Sequence, residues 1–170
     1  MQPLETTYQY TQAFCCAGVV LEKDGKILMI RENRPGHADH GMWNFPCGWL
    51  DLGEDPYETA IRETREEAGY DVKPHALLGI YSSVRNDLQK GNAMPHGINI
   101  FYVGTPLNEE PYTHDYEVSE IQWITPNDFL ALPDNSLRGS KRLKSITKDY
   151  MEGKRYPLEL IQHAIQKIED

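Results

Sequence analysis

The sequence predicts an α/β fold in which a mixed β-sheet packs between helical layers. Two observations carry this expectation. Apolar, β-branched runs lie both before and after one strongly signalled helix, and the remaining helical patterning gathers towards the C-terminus. A third observation bounds the size: 170 residues suit one domain. The whole chain, 1–170, is read as that domain, with a helical tail from about residue 136.

Residues 1–10 are a polar and aromatic lead-in. Residues 12–21 turn apolar, Lys23-Asp24-Gly25-Lys26 supplies an Asp-Gly turn, and Ile27-Leu28-Met29-Ile30 follows, which together read as a β-hairpin. Residues 33–41, rich in Pro, Gly and His, are a loop, and 46–54, with Gly48 and Gly53, are another. Asp55-Pro56 opens a helix: Asp55 can cap it, Pro56 suits its first turn, and Glu58 stands three residues after the cap, as in a capping box. Gly69 ends it in the left-handed conformation. Tyr57, Ile61, Thr64 and Ala68 recur at helical spacing and face the core. Strands follow at 76–84, 98–103 and 118–124, with a polar loop over 86–97. A short helix starts at Thr125 and ends near Leu132, and helices cover 140–151 and 157–168.

Lys and Arg number 17 against 26 Asp and Glu, a formal charge of −9. That balance argues against a nucleic-acid polymer as partner, because phosphate backbones need clustered cations. It leaves room for a small phosphorylated ligand held through a metal ion that acidic side chains recruit. Cys15, Cys16 and Cys47 show neither zinc nor disulfide spacing and read as reduced thiols of a cytoplasmic protein. The longest apolar run, 13–21, is too short for a membrane span, which needs about 20 residues. No charged-then-apolar leader opens the chain, so neither membrane nor secretion is expected. Nothing in the sequence separates a monomer from a homodimer.

The informative segment is residues 48–70, GWLDLGEDPYETAIRETREEAGY. Glu63, Glu66 and Glu67 lie at i, i+3 and i+4 and so share one helix face. Carboxylates ~6 Å apart repel by roughly 3 kcal/mol at an effective dielectric near 20, and hard divalent cations offset such repulsion. Taken alone, this face is ordinary wet acidic surface with an Arg62–Glu66 pair. The spacing of the whole segment changes that. Gly48 is followed after five residues by Glu54, after seven more by Arg62-Glu63, and then by Glu66-Glu67 and Gly69.

This pattern resembles the Nudix box, with all of its fixed residues present. A chance match in a chain this long is about one in a million. Thr64 and Tyr70 stand where aliphatic residues are usual, and Cys47 replaces the first glycine of the common Pro-Gly-Gly lead-in. The resemblance to the Nudix hydrolases implies an α/β/α sandwich and Mg²⁺-dependent hydrolysis of a diphosphate linked to another moiety, with Mn²⁺ as the other metal. It implies that Glu63, Glu66 and Glu67 serve as metal ligands or base, with the Gly48 carbonyl as a further ligand. Glu54 and Arg62 would hold the loop to the helix. A later glutamate completes the metal site in the family; Glu117, six residues before Trp123, is the choice here, with Glu120 and Asp115 as rivals.

The tail, from Leu137-Arg138 to the run Gly153-Lys154-Arg155-Tyr156-Pro157-Leu158-Glu159, resembles a branch of broad-specificity Nudix phosphatases, as does the Trp43-Asn44 lead-in. That branch implies nucleoside tri- and diphosphates or thiamine-pathway pyrophosphates as substrates. Arg31, Trp43, Tyr81 and Arg85 are the candidate substrate-binding residues, with Phe45 as a further ring and Arg138 and Lys141 as further cations. The simpler reading of each is core aromatic or ordinary surface cation. His37 and His40 touch phosphate or are solvated. An ADP-ribose or nucleotide-sugar pyrophosphatase is the alternative, since Pro95 lies near that branch's marker position, where Arg85 stands. A non-catalytic, nucleotide-sensing domain is the second alternative; such domains commonly lose box carboxylates, and none is lost here.

Overall fold

The computed structural model describes residues 13–84 and 96–164. The predicted hairpin is formed by β1 (Phe14–Lys23) and β2 (Lys26–Glu32). Asp24 and Gly25 take φ of 51° and 73° at its turn, the doubly left-handed pair that matches strand twist. β1 then runs parallel to β6 (His96–Pro106), from Phe14↔Gly97 to Leu21↔Gly104. β6 pairs antiparallel with β5 (Val72–Val84), and β2 pairs antiparallel with β7 (Val118–Ile124). The result is a mixed seven-stranded sheet.

Alternation along β1 and β2 sends side chains to two separate cores. Ala17, Val19, Leu21, Leu28 and Ile30 face one core, shared with Ala60 and Ala68 of helix α1 (Pro56–Ala68). Val20, Ile27 and Met29 face the other, shared with Phe129 of α2 (Pro126–Ala131) and with Leu143 and Ile146 of α3 (Ser140–Met151). Helices therefore cover both faces of the sheet, the predicted α/β/α arrangement.

Helix α1 has its expected ends. Asp55 accepts from the Tyr57 N–H at 2.8 Å, and Gly69 sits at φ 69°. Of its expected core face, Thr64 and Ala68 are buried, while Tyr57 and Ile61 pack at the margin.

The sequence reading differs from the structure in three places. First, the loop predicted over 46–54 contains a short strand, β4 (Cys47–Trp49), paired antiparallel with β1, and Trp43–Asn44 form β3 beside β2. Strands this short carry no periodicity to detect. Second, β5 starts at Val72 rather than 76, because register shifts on either side of Ala76 accommodate Pro74 in a strand paired with β6 alone. Third, the helix predicted over 157–168 is a single 3₁₀ turn, Leu158–Leu160, within its described part. Tyr156 and Leu77 exchange both backbone hydrogen bonds, at 2.9 and 2.8 Å, so the tail enters this region extended along β5. Residues 165–168, loop residues 86–95 and Arg85 lie outside the described residues.

Among the described residues no helix is long and apolar enough to cross a membrane.

Candidate active site

Helix α1 and β4 are adjacent because each packs against β1. The turn between them, 50–55, folds back onto the helix through one arginine. Arg62 donates to both Glu54 oxygens, Nε to Oε1 at 2.8 Å and Nη2 to Oε2 at 2.9 Å. Its Nη2 also reaches the Trp49 carbonyl at 3.0 Å, and its Nη1 reaches Glu63 at 2.7 Å and Glu66 at 3.1 Å. Glu54 further accepts from the Thr59 hydroxyl and the Asp51 N–H. The Arg62 hydrogen bonds hold the Glu54 carboxyl down to about 2.

The β4 backbone lies against the helix. A Cβ added at Gly48 would fall on the Glu63 carboxylate, so only glycine allows this approach. The Cys47 N–H donates to Glu67 Oε2 at 2.8 Å. Burial pushes the Glu67 carboxyl well above the carboxylate range, and the charges of Glu63 and Glu32 add to the rise. Burial also raises Glu63, against the pull of Arg62.

These groups line a cavity of about 760 Å³. Helix α1 contributes Arg62, Glu63, Glu66 and Glu67, and β4 contributes Cys47, Gly48 and Trp49. The loop after β2 brings Arg34, His37 and Asp39; the segment before β7 brings Asp115 and Glu117. That segment is fastened to α1 by the Asp115 N–H, which donates to the Glu66 carbonyl at 2.8 Å. Glu117 forms an ion pair with Arg34. The start of α3 supplies Gly139 to Arg142.

Glu63, Glu66, Glu67, Gly48 and Glu117 are thus brought together. Of the rivals to Glu117, Asp115 shares the cavity, whereas Glu120 is not among its lining residues and pairs with Arg31 across β2 and β7 at 3.2 Å. Of the candidate substrate-binding residues, Arg31, Trp43 and Tyr81 do not line the cavity, and Arg85 lies outside the described residues. Arg31 reaches the Gly41 carbonyl and lies over the Trp43 ring, 5.6 Å from its centre. Trp43 packs at the margin of the α3-side core, and Tyr81 donates to Asp149 at 3.0 Å. Phe45 is fully buried, stacked on Phe129 at 5.1 Å. Arg138 and Lys141 do line the cavity, as does His37. Arg34, Asn99 and Arg142 also line it and escaped the sequence reading. They lie on three different elements, and only the fold assembles them.

The three departures from the box pattern are accommodated by packing. Thr64 is buried and returns its hydroxyl to the Ala60 carbonyl at 2.7 Å. Tyr70 packs edge-on against Trp123 at 5.8 Å. Cys47 fills the space that Gly18 of β1 leaves, where a second Cβ would collide with it.

Among the described residues, no three His, Cys, Asp or Glu side chains converge closely enough to hold an ion as they stand. Glu63 and Glu66 are turned to Arg62, and Glu67 to the Cys47 N–H. The donor set nonetheless fits a hard divalent cation. It is all oxygen, it is anionic, and it includes a desolvated carboxylate whose charge lacks a cationic partner within hydrogen-bond reach among the described residues.

The NUDIX domain family model matches residues 10–146. The chain belongs to the Nudix hydrolase family. It is similar to a MutT-like protein of Streptomyces ambofaciens, 30% identical over 127 residues, covering 75% of this chain and 73% of the relative. It is also similar to phosphatase NudJ of Escherichia coli K12, 28% identical over 142 residues, covering 84% and 86%. A solved Nudix hydrolase from Nitrosomonas europaea superposes with a TM-score of 0.78 at 25% identity, covering 90% of this chain and 98% of that one. This Nudix hydrolase is thus similar to a relative named as a phosphatase. Nudix hydrolases generally use divalent metals such as Mg²⁺ and act on small phosphorylated substrates.

Proposed function

We propose that this Nudix hydrolase cleaves a phosphoanhydride bond of a nucleoside di- or triphosphate, or of a related pyrophosphate such as a thiamine-pathway intermediate, with Mg²⁺ as cofactor. One observation carries the reading: Glu63, Glu66, Glu67 and Gly48 line one cavity that cations from two other elements also line. The part of the chain from residue 136 belongs, in this reading, to the same domain, because α3 supplies part of that cavity.

Glu63, Glu66 and the Gly48 carbonyl would hold the cation, with Glu117 completing the set and Glu67 left as the base. Bound there, such an ion would supply charge neutralisation at phosphate and a lowered pKa for water. The protein supplies the rest. Arg62 fixes the loop carrying Glu54, and β4 through the Trp49 carbonyl, to α1, so the donors on β4 and α1 keep their relative positions. Glu67, anchored through one oxygen to the Cys47 N–H, keeps the other to accept the proton of the attacking water.

The test is release of phosphate or pyrophosphate from a panel of nucleoside tri- and diphosphates, thiamine diphosphate and ADP-ribose, with Mg²⁺ and with EDTA. Mg²⁺-dependent turnover of the first three classes supports the reading. A clear ADP-ribose preference contradicts the substrate class, and binding without turnover contradicts the activity.

A further inference from the structure

Arg142 is an arginine of the cavity whose charge the described residues leave unbalanced. Arg34 pairs with Glu117, Arg62 with Glu54, Glu63 and Glu66, and Arg138 with Glu32 and Asp39. Arg142 forms no ion pair among the described residues. Two neutral acceptors hold its guanidinium: the Asn99 side-chain oxygen at 2.9 Å and the Arg138 carbonyl at 3.3 Å. The Asn99 amide nitrogen is committed to the Tyr81 and Gly97 carbonyls at 3.1 and 3.2 Å, which leaves its oxygen for Arg142. The Arg142 Nε is buried with no acceptor.

Its charged neighbours do not settle the charge. Arg138 repels it; Asp39 attracts it but makes its ion pair with Arg138, at 3.0 Å, so no carboxylate is in ion-pair contact with Arg142 among the described residues. A buried guanidinium with no anion in ion-pair contact is costly. Beside it, Lys141 is exposed, lines the same cavity and has no ion pair among the described residues. Both residues stand in the first turn of a 12-residue helix that lacks a side-chain cap and any acidic residue there. Its leading N–H groups and dipole favour an anion.

We propose that Lys141, Arg142 and the first turn of α3 form a subsite for the free terminal phosphoryl group of the substrate, apart from the carboxylates of α1. The proposal rests on the hydrolase reading above and names what that site selects. A terminal phosphoryl group carries nearly two charges at pH 7 and three acceptor oxygens. Two cations and uncapped N–H groups match it. A phosphate esterified on both sides offers one charge and two free oxygens. The subsite therefore favours di- and triphosphates with a free end over ADP-ribose, whose phosphates are both internal.

The experiment is calorimetric titration of the full chain with inorganic tripolyphosphate in EDTA. Wild type binds saturably; Lys141→Ala and Arg142→Gln each bind at least tenfold more weakly; and Lys73→Ala, an equal charge change on the exposed face of β5, binds as wild type. In Mg²⁺, Lys141→Ala raises KM for a free-ended diphosphate at least tenfold and leaves that for ADP-ribose within twofold. Should Arg142→Gln fail to fold, exposed Lys141→Ala decides alone. Undiminished binding by Lys141→Ala, no binding by wild type, or an equal loss in Lys73→Ala overturns the subsite. Because binding is read without metal or turnover, wild type that binds through Lys141 but hydrolyses nothing overturns the hydrolase reading and upholds the subsite.

Discussion

Arg62 grips Glu54 through both carboxylate oxygens, at 2.8 and 2.9 Å, and the same guanidinium reaches Glu63, Glu66 and the Trp49 carbonyl. One side chain thus fixes the loop before α1 and two of the candidate ligands on it. A lysine has the charge but not the planar fork. Arg62→Lys is expected to lose about 2 kcal/mol of stability in urea unfolding, the scale of a charged hydrogen bond left unmade. It also lowers turnover, because the Glu63 carboxylate loses its anchor. Unchanged stability and turnover in Arg62→Lys would show that this grip holds nothing.

Gly48→Ala separates folding from ligand placement. The added methyl meets the end of the Glu63 side chain rather than backbone, so Glu63 can swing away cheaply. The expected outcome is a melting temperature close to wild type with Mg²⁺ affinity reduced at least tenfold, measured by calorimetry. Full Mg²⁺ affinity would remove Gly48 and Glu63 from the donor set.

The Glu54–Arg62 pair also sets an acid limb of stability. Glu54 titrates near 4.5 when unfolded and about 2 when folded. Its folded-state pKa is depressed, so its contribution is fully present above about 4.5 and is lost as the pH falls towards about 2. Urea midpoints measured from pH 6 down to pH 2 should fall more steeply for wild type than for Glu54→Gln across that window. Parallel curves would contradict the assignment.

Cys16 and Cys47 line the cavity yet should be inert, since burial holds their thiols near 11 and 12. The thiolate is the reactive form. An aromatic disulfide reagent at pH 7.5 is expected to label these two only after unfolding. Rapid labelling of Cys47 in the native protein would show that β4 opens.

Much of this architecture is written in local chemistry. The hairpin, α1 with its caps, β7 and α3 each follow from turn residues, capping residues or periodicity within a short stretch. The candidate donor set is legible for the same reason: four of its members lie within twenty residues, at spacings fixed by one helix and one loop. What escaped was long-range. β3 and β4 are too short to show a period and exist because β1 and β2 offer them edges. Residues 157–168 read as helix, but their described part holds a single 3₁₀ turn just after Tyr156 bridges to Leu77. The lining of the cavity is not legible locally for a related reason. Arg31, Trp43 and Tyr81 have the right chemistry but find partners elsewhere, whereas Arg34, Asn99 and Arg142 meet only once the sheet and α3 are in place.

The central claim is that the α1 carboxylates, with Glu67 as base, turn over a phosphoanhydride. Glu67→Gln keeps size and the hydrogen bond from the Cys47 N–H but cannot take a proton. Steady-state kcat with saturating Mg²⁺ and the best substrate of the panel should fall by about 10²–10⁴-fold or more, at a melting temperature no lower than wild type. A Glu67→Gln protein that turns over at the wild-type rate would contradict the account.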